Sequence, residues 1–169
     1  MLEAEFRARF ELWRAGLAKD PDTDFDPTEP APDLQEWLYE TYCNHGEVPS
    51  GQFAPLVYAR RLALVSRALA AVNVTYAASG RPPLDPPLTP TVDASTGTIM
   101  VAEQPVHALD KAGVAVEVAD GFQCYVMDTQ WFVWPLCPRH GTGAHPELIG
   151  GAAVWHCSAE NHILGPVVA

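Results

Sequence analysis

Positive charge is scarce in this chain. Of 169 residues only ten are Lys or Arg, against 21 Asp and Glu, which leaves a net charge of −11. Lysine occurs twice, at Lys19 and Lys111. From Asp20 to Glu47 nine acids stand without a single Lys or Arg. Nucleic-acid binders neutralise phosphates with clustered cations, and the sequence has no such cluster. DNA, RNA and anionic membranes are therefore excluded as expected partners. The acidic stretch suits a solvated loop, or a surface that masks a basic partner.

Long apolar runs are also missing. The best, "RLALVSRALAAV", is interrupted by Arg67 and is too short to span a bilayer. "MLEAEFRARFELW" threads charges through its apolar positions and lacks the layout of a cleaved signal, so a cytoplasmic protein is expected. Four cysteines in that compartment argue against a disulfide framework. Cys43 and Cys124 have no partner at short spacing and read as small buried apolar residues. No phosphate-binding glycine loop, G-x-S-x-G elbow or H-E-x-x-H helix occurs.

What is present is ordinary globular material. Apolar residues make up 48% and charged residues 18%, enough for a core in a single domain with at most a small appendage. Leu2, Phe6, Phe10, Trp13 and Leu17 recur at helical steps, which predicts an amphipathic helix over 1–19 that buries its stripe on the body or on a second copy. An acidic, proline-rich linker follows at 20–33. The 34–80 region reads as helical. Asp33 and Glu36 are placed for a capping box, Gly46 for a stop, Pro55 for a first helical position and Gly80 for an end. Residues 81–97 form a proline spacer. Beyond it, 98–169 reads as antiparallel β: "TIMVA" as a strand, "VAVEV" and "FQCYVM" as a hairpin around Asp120-Gly121, and "WFVWPL" as another strand. The fold class is α+β, with a helical N-terminal half and an antiparallel C-terminal half.

The informative stretch is 134–169. Cys137, His140, Cys157 and His162 follow a C-x2-H-x16-C-x4-H pattern. In each half an apolar run ends on a Cys, a short turn follows, and a His comes next. Zinc takes four such ligands in a tetrahedron, and two turns can supply two each. The x16 spacer is long enough to run out, turn at Gly150-Gly151 and return. His156 precedes Cys157 on a probable strand, so its side chain belongs on the opposite face.

"CPRHG" resembles a zinc-ribbon knuckle, with His140 where that family usually has its second Cys. "WPLCPRHG…AVWHC…H" is also similar to the ends of small actinobacterial proteins. The resemblance covers about one fifth of the chain. It implies bound Zn2+ and a β-ribbon for the tail, and it implies no activity.

Catalysis has weaker support. The zinc deaminases use H-x-E followed by P-C-x-x-C, and His145-Pro146-Glu147 matches only the first half. An open zinc with a water held by His145 or Glu147 would make a small hydrolase, the alternative reading. The expectation is a non-enzymatic, zinc-stabilised interaction module with a protein partner and no catalytic residues. A homodimer through the N-terminal helix and an acidic mimic of a basic partner's ligand are further alternatives.

Overall fold

The computed structural model describes residues 2–90 and 97–168, except the side chains of Leu2, Ser50 and Pro90. The 91–96 part of the spacer and Ala169 at the end of the tail lie outside the described residues. Among the described residues there are four helices and six strands, the helices being α1 (Leu2–Leu17), α2 (Pro32–His45), α3 (Ser50–Ala78) and α4 (Lys111–Gln130). The strands make two antiparallel sheets of three. The first joins β1 (Leu88–Pro90), β2 (Ile99–Val101) and β3 (Gln104–Val106), and the second joins β4 (His145–Ile149), β5 (Ala152–Cys157) and β6 (His162–Pro166). The class is α+β. Among the described residues no helix is long and apolar enough to cross a membrane.

From Phe10 to Leu17 the stripe of α1 is covered by its own chain, while Phe6 stays 38% exposed. Phe10 and Leu17 are buried, and Phe6, Phe10 and Trp13 meet Tyr42 at ring distances of 5.0, 5.5 and 5.4 Å. The Trp13 indole N–H donates to the Val48 carbonyl. Leu34, Leu38, Phe53 and Val57 complete this smaller core. The larger core lies under α3 and α4, where Tyr76, Phe122, Trp134 and Trp155 form a chain of edge-on rings.

The hairpin expected around Asp120-Gly121 is corrected: "VAVEV" and "FQCYVM" are turns of one helix, α4. Val114, Val118, Phe122 and Val126 recur every fourth residue and are all buried. A helical face of this kind outweighs the β-branching of its members. Asp110 caps the helix by accepting from the Gly113 amide. Gly121 serves close approach rather than a turn, since a Cβ there would stand 3.0 Å from the Val101 carbonyl oxygen. "WFVWPL" is irregular, with a cis bond before Pro135, and only Leu136 pairs, in a lone bridge to Gly143.

Smaller differences lie in the helices. The capping box at Asp33 does not form. α2 begins at Pro32 with no side-chain cap, and Asp33 turns instead to the Arg60 guanidinium and the Lys111 amide. α3 starts at Ser50, which puts Pro55 inside the helix. Cys43 is exposed and Cys124 half-buried, because both lie off the apolar faces of their helices. Leu88–Pro90 of the proline spacer pairs as an edge strand, where a missing N–H is tolerated.

The acidic segment 20–33 is tied down through Asp24. Its carboxylate accepts from Arg61, which is fully buried, and from the Thr98 hydroxyl at 2.6 Å. Removing one partner of such a pair takes a counter-charge from a buried cation. Asp24→Ala is therefore expected to lower stability by about 3 kcal/mol in urea unfolding. Asp26→Ala, whose partner is the adjacent Thr28, should stay within about 0.5 kcal/mol.

Candidate metal centre

Two tight turns bring the four expected ligands together. In the first, the Cys137 amide donates to the Thr142 carbonyl and the Gly141 amide to the Cys137 carbonyl, both at 2.8 Å. Gly141 takes a positive φ of 67°, which a glycine adopts without strain. In the second, Cys157 ends β5 and faces His162, the first residue of β6, as its cross-strand partner. Asn161 turns this hairpin with φ at 50°.

The ligand atoms of Cys137, His140, Cys157 and His162 all lie within 4.8 Å of one another, close enough to hold a metal ion. Cys137 Sγ is 3.5 Å from His140 Nδ1 and 3.5 Å from His162 Nε2, and Cys157 Sγ is 3.3 Å from His140 Nδ1. Both cysteines are buried and both histidines are half-buried.

The surroundings select protonation states. The His140 Nε2 edge faces the Glu160 carboxylate at 3.3 Å, so a proton there leaves Nδ1 free for a metal. Glu160 also pairs with Arg139 across the two turns. The Thr142 hydroxyl, His140 and the Ala159 amide hold the Cys157 thiol down to about 6. Thiolate is the form that binds metals. His162 Nδ1 is buried with no hydrogen-bond partner among the described residues.

α4 positions the first turn. Gln123 is buried and its amide donates to the Trp134 and Ala144 carbonyls at 2.7 and 2.6 Å, on either side of the Cys137–Thr142 loop. Both segments flanking the turn are thereby fixed to the helix.

The other chemistry-bearing residues stand apart. His145 begins β4 opposite His156, and the Glu147 carboxylate pairs with His156 Nδ1 at 2.8 Å. His156 Nε2 meets the Asn161 amide oxygen. These residues do not join the four-donor cluster. Cys43, His45 and His107 are likewise not in it. Thr142, Glu160 and Gln123 are the supporting residues that spacing did not reveal. Glu160, two residues before a ligand, carried the only local hint. Compared with known proteins, the chain matches no family model, no curated protein and no solved structure.

Two outcomes are expected. Gln123→Leu leaves two buried carbonyls unpaired, at a cost of about 1–3 kcal/mol each. It should weaken metal binding measurably in a chelator competition while circular dichroism reports the helices intact. The second concerns pH. The lowered Cys157 thiol favours the folded state above its ordinary range, and that contribution is lost as pH falls through about 6. A proton must then be displaced by the metal, so the logarithm of apparent affinity should fall more steeply with pH below about 6 than above it.

Proposed function

We propose that this chain is a zinc-stabilised protein-interaction module without catalytic activity of its own. The supporting observation is the spacing of the four donors. With zinc–sulfur distances of about 2.3 Å and zinc–nitrogen distances of about 2.0–2.1 Å, a tetrahedron has sulfur–nitrogen edges of about 3.6 Å. Three of the four sulfur–nitrogen edges here measure 3.5, 3.5 and 3.3 Å. Two thiolates and two imidazoles suit zinc or another thiophilic metal better than a hard cation. The matched turns, one Cys and one His on each, resemble the two knuckles of a zinc ribbon.

Four protein ligands fill a tetrahedral sphere and leave no position for an activated water. The base that an open site needs is engaged elsewhere, since Glu147 pairs with His156. This favours a structural ion over the hydrolase alternative. The masking role for the acidic segment is also weakened, because Asp24 and Asp33 bind Arg61 and Arg60 within the chain.

Metal analysis with X-ray absorption tests the reading. About one zinc per chain is expected, in a two-sulfur, two-nitrogen shell. His145→Ala should keep that zinc and change stability by no more than about 0.5 kcal/mol, as for other surface positions. Cys157→Ser should lose it and loosen the 134–168 tail before the helices. A zinc with three protein ligands and a water touching Glu147 would reverse the assignment to a hydrolase.

A further inference from the structure

Away from the metal centre, α3 and the start of α4 border two adjoining clefts of about 390 and 210 Å³ that share Leu64, Arg67 and Lys111. Together they form a trough along α3 from Leu56 to Ala71. The fifteen helical steps between them rise about 22 Å, the length of a four-turn helix. The floor is apolar and mostly small, with alanines at 59, 63, 68 and 71 beside Leu56 and Leu64. Small side chains admit a helix backbone closely. The trough is open to solvent along one side. Small-molecule sites enclose most of their ligand, whereas an open trough of this length fits a helix laid into it.

Its charge contradicts the rest of the molecule. Three of the chain's ten cations, Arg60, Arg67 and Lys111, line the trough of a protein with a net charge of −11. Arg60 is partly compensated by Asp33 and stacks over Trp37. The Arg67 guanidinium and the Lys111 ammonium form no ion pair among the described residues, Asp33 accepting only from the Lys111 backbone amide, and the charge of Arg67 bears unfavourably on Arg60. An uncompensated pair of cations beside an apolar floor complements a ligand with an apolar stripe flanked by acids.

We propose that this trough docks an acidic amphipathic helix of a partner protein. Its apolar stripe lies over Leu56, Leu64 and Ala68, and its Asp or Glu side chains reach Arg67 and Lys111. The proposal rests on the reading of the chain as an interaction module, but not on the metal that holds the tail.

The test uses the full zinc-loaded chain and two labelled 15-residue peptides with blocked ends. Both carry Leu at i, i+3, i+4 and i+7 spacing. One has Glu along the flanks of that stripe, the other Lys. Fluorescence anisotropy at low salt should show the Glu peptide binding at least about tenfold more tightly, against the direction set by net charge. Arg67→Glu with Lys111→Glu should reverse the preference, the Lys peptide gaining as the Glu peptide loses. A variant that had merely unfolded would lose both. Equal binding of the two peptides, a preference for the Lys peptide, or no binding of either overturns the proposal. So does a preference that survives the double reversal. Sodium decanoate that displaces the Glu peptide and binds more tightly reassigns the trough to free aliphatic carboxylates. A concentration-dependent dimer that the double reversal abolishes reassigns it to a second copy. Zinc content read on the same samples separates the two ideas: full zinc without a peptide preference defeats the trough alone, and a peptide preference without zinc defeats the metal assignment alone.

Discussion

The backbone approach of α4 to β2 at Gly121 sets the spacing on which the rest of the fold is built. A side chain there would meet the Val101 carbonyl oxygen at 3.0 Å and the Val101 Cβ at 3.2 Å. Without one, helix and strand come close enough for Val101, Val118 and Phe122 to be sealed from water together. The same helix packs against α3, the first sheet and two strands of the second. It is the axis that the other elements share. Its polar contributions are few and specific, with Asp110 closing its first turn and Gln123 reaching across to the loop that carries Cys137.

A second organising feature is the use of arginine as a hydrogen-bond donor inside the fold. Arg60 and Arg61, consecutive on α3, donate to the carbonyls of Leu109, Ala108 and His107, the segment that enters α4. Such a segment has no ladder of its own to satisfy these carbonyls. The guanidiniums replace one, because their planar fork presents several donors in fixed directions. Their charges are met by Asp33 and Asp24 from the N-terminal layer. The acidic segment is thus fastened to the core by the few cations the sequence contains, which joins the smaller aromatic core to the larger one.

How much of this was legible in the sequence follows the kind of signal each element leaves. α1 and the turn at Gly150-Gly151 rest on local patterns, and both appear where those patterns place them. The four-residue cluster that could hold a metal was legible because ligand chemistry demands particular residue types at short spacing, whatever the surrounding fold. α4 was misread because Asp120-Gly121 is a strong turn signal when judged over two residues, while the competing four-residue period needs the whole segment to be seen. Gly121 is required by a strand 20 residues upstream, and no local pattern announces that. Asp33 shows the same limit, since a suitable cap in sequence was drawn off by an arginine 27 residues away. Thr142 and Gln123 act only through tertiary contacts, so their roles emerge with the coordinates.

Each turn of the metal cluster supplies one thiol and one imidazole, and this division has a mechanical consequence. Neither hairpin tip completes a site alone, and neither can leave with its ligands still satisfied. Separation of β6 from β5 would pull His162 away and release the opposite tip with it. The tips are bound further by the Arg139–Glu160 pair, whose carboxylate also orients His140. Below them, Trp134, Ala144 and Trp155 sit in the core against α4. The tail is therefore a clasp rather than a row of separate latches. With an ion held by all four donors it would open as one unit, exposing Trp134 and Trp155 of the core beneath.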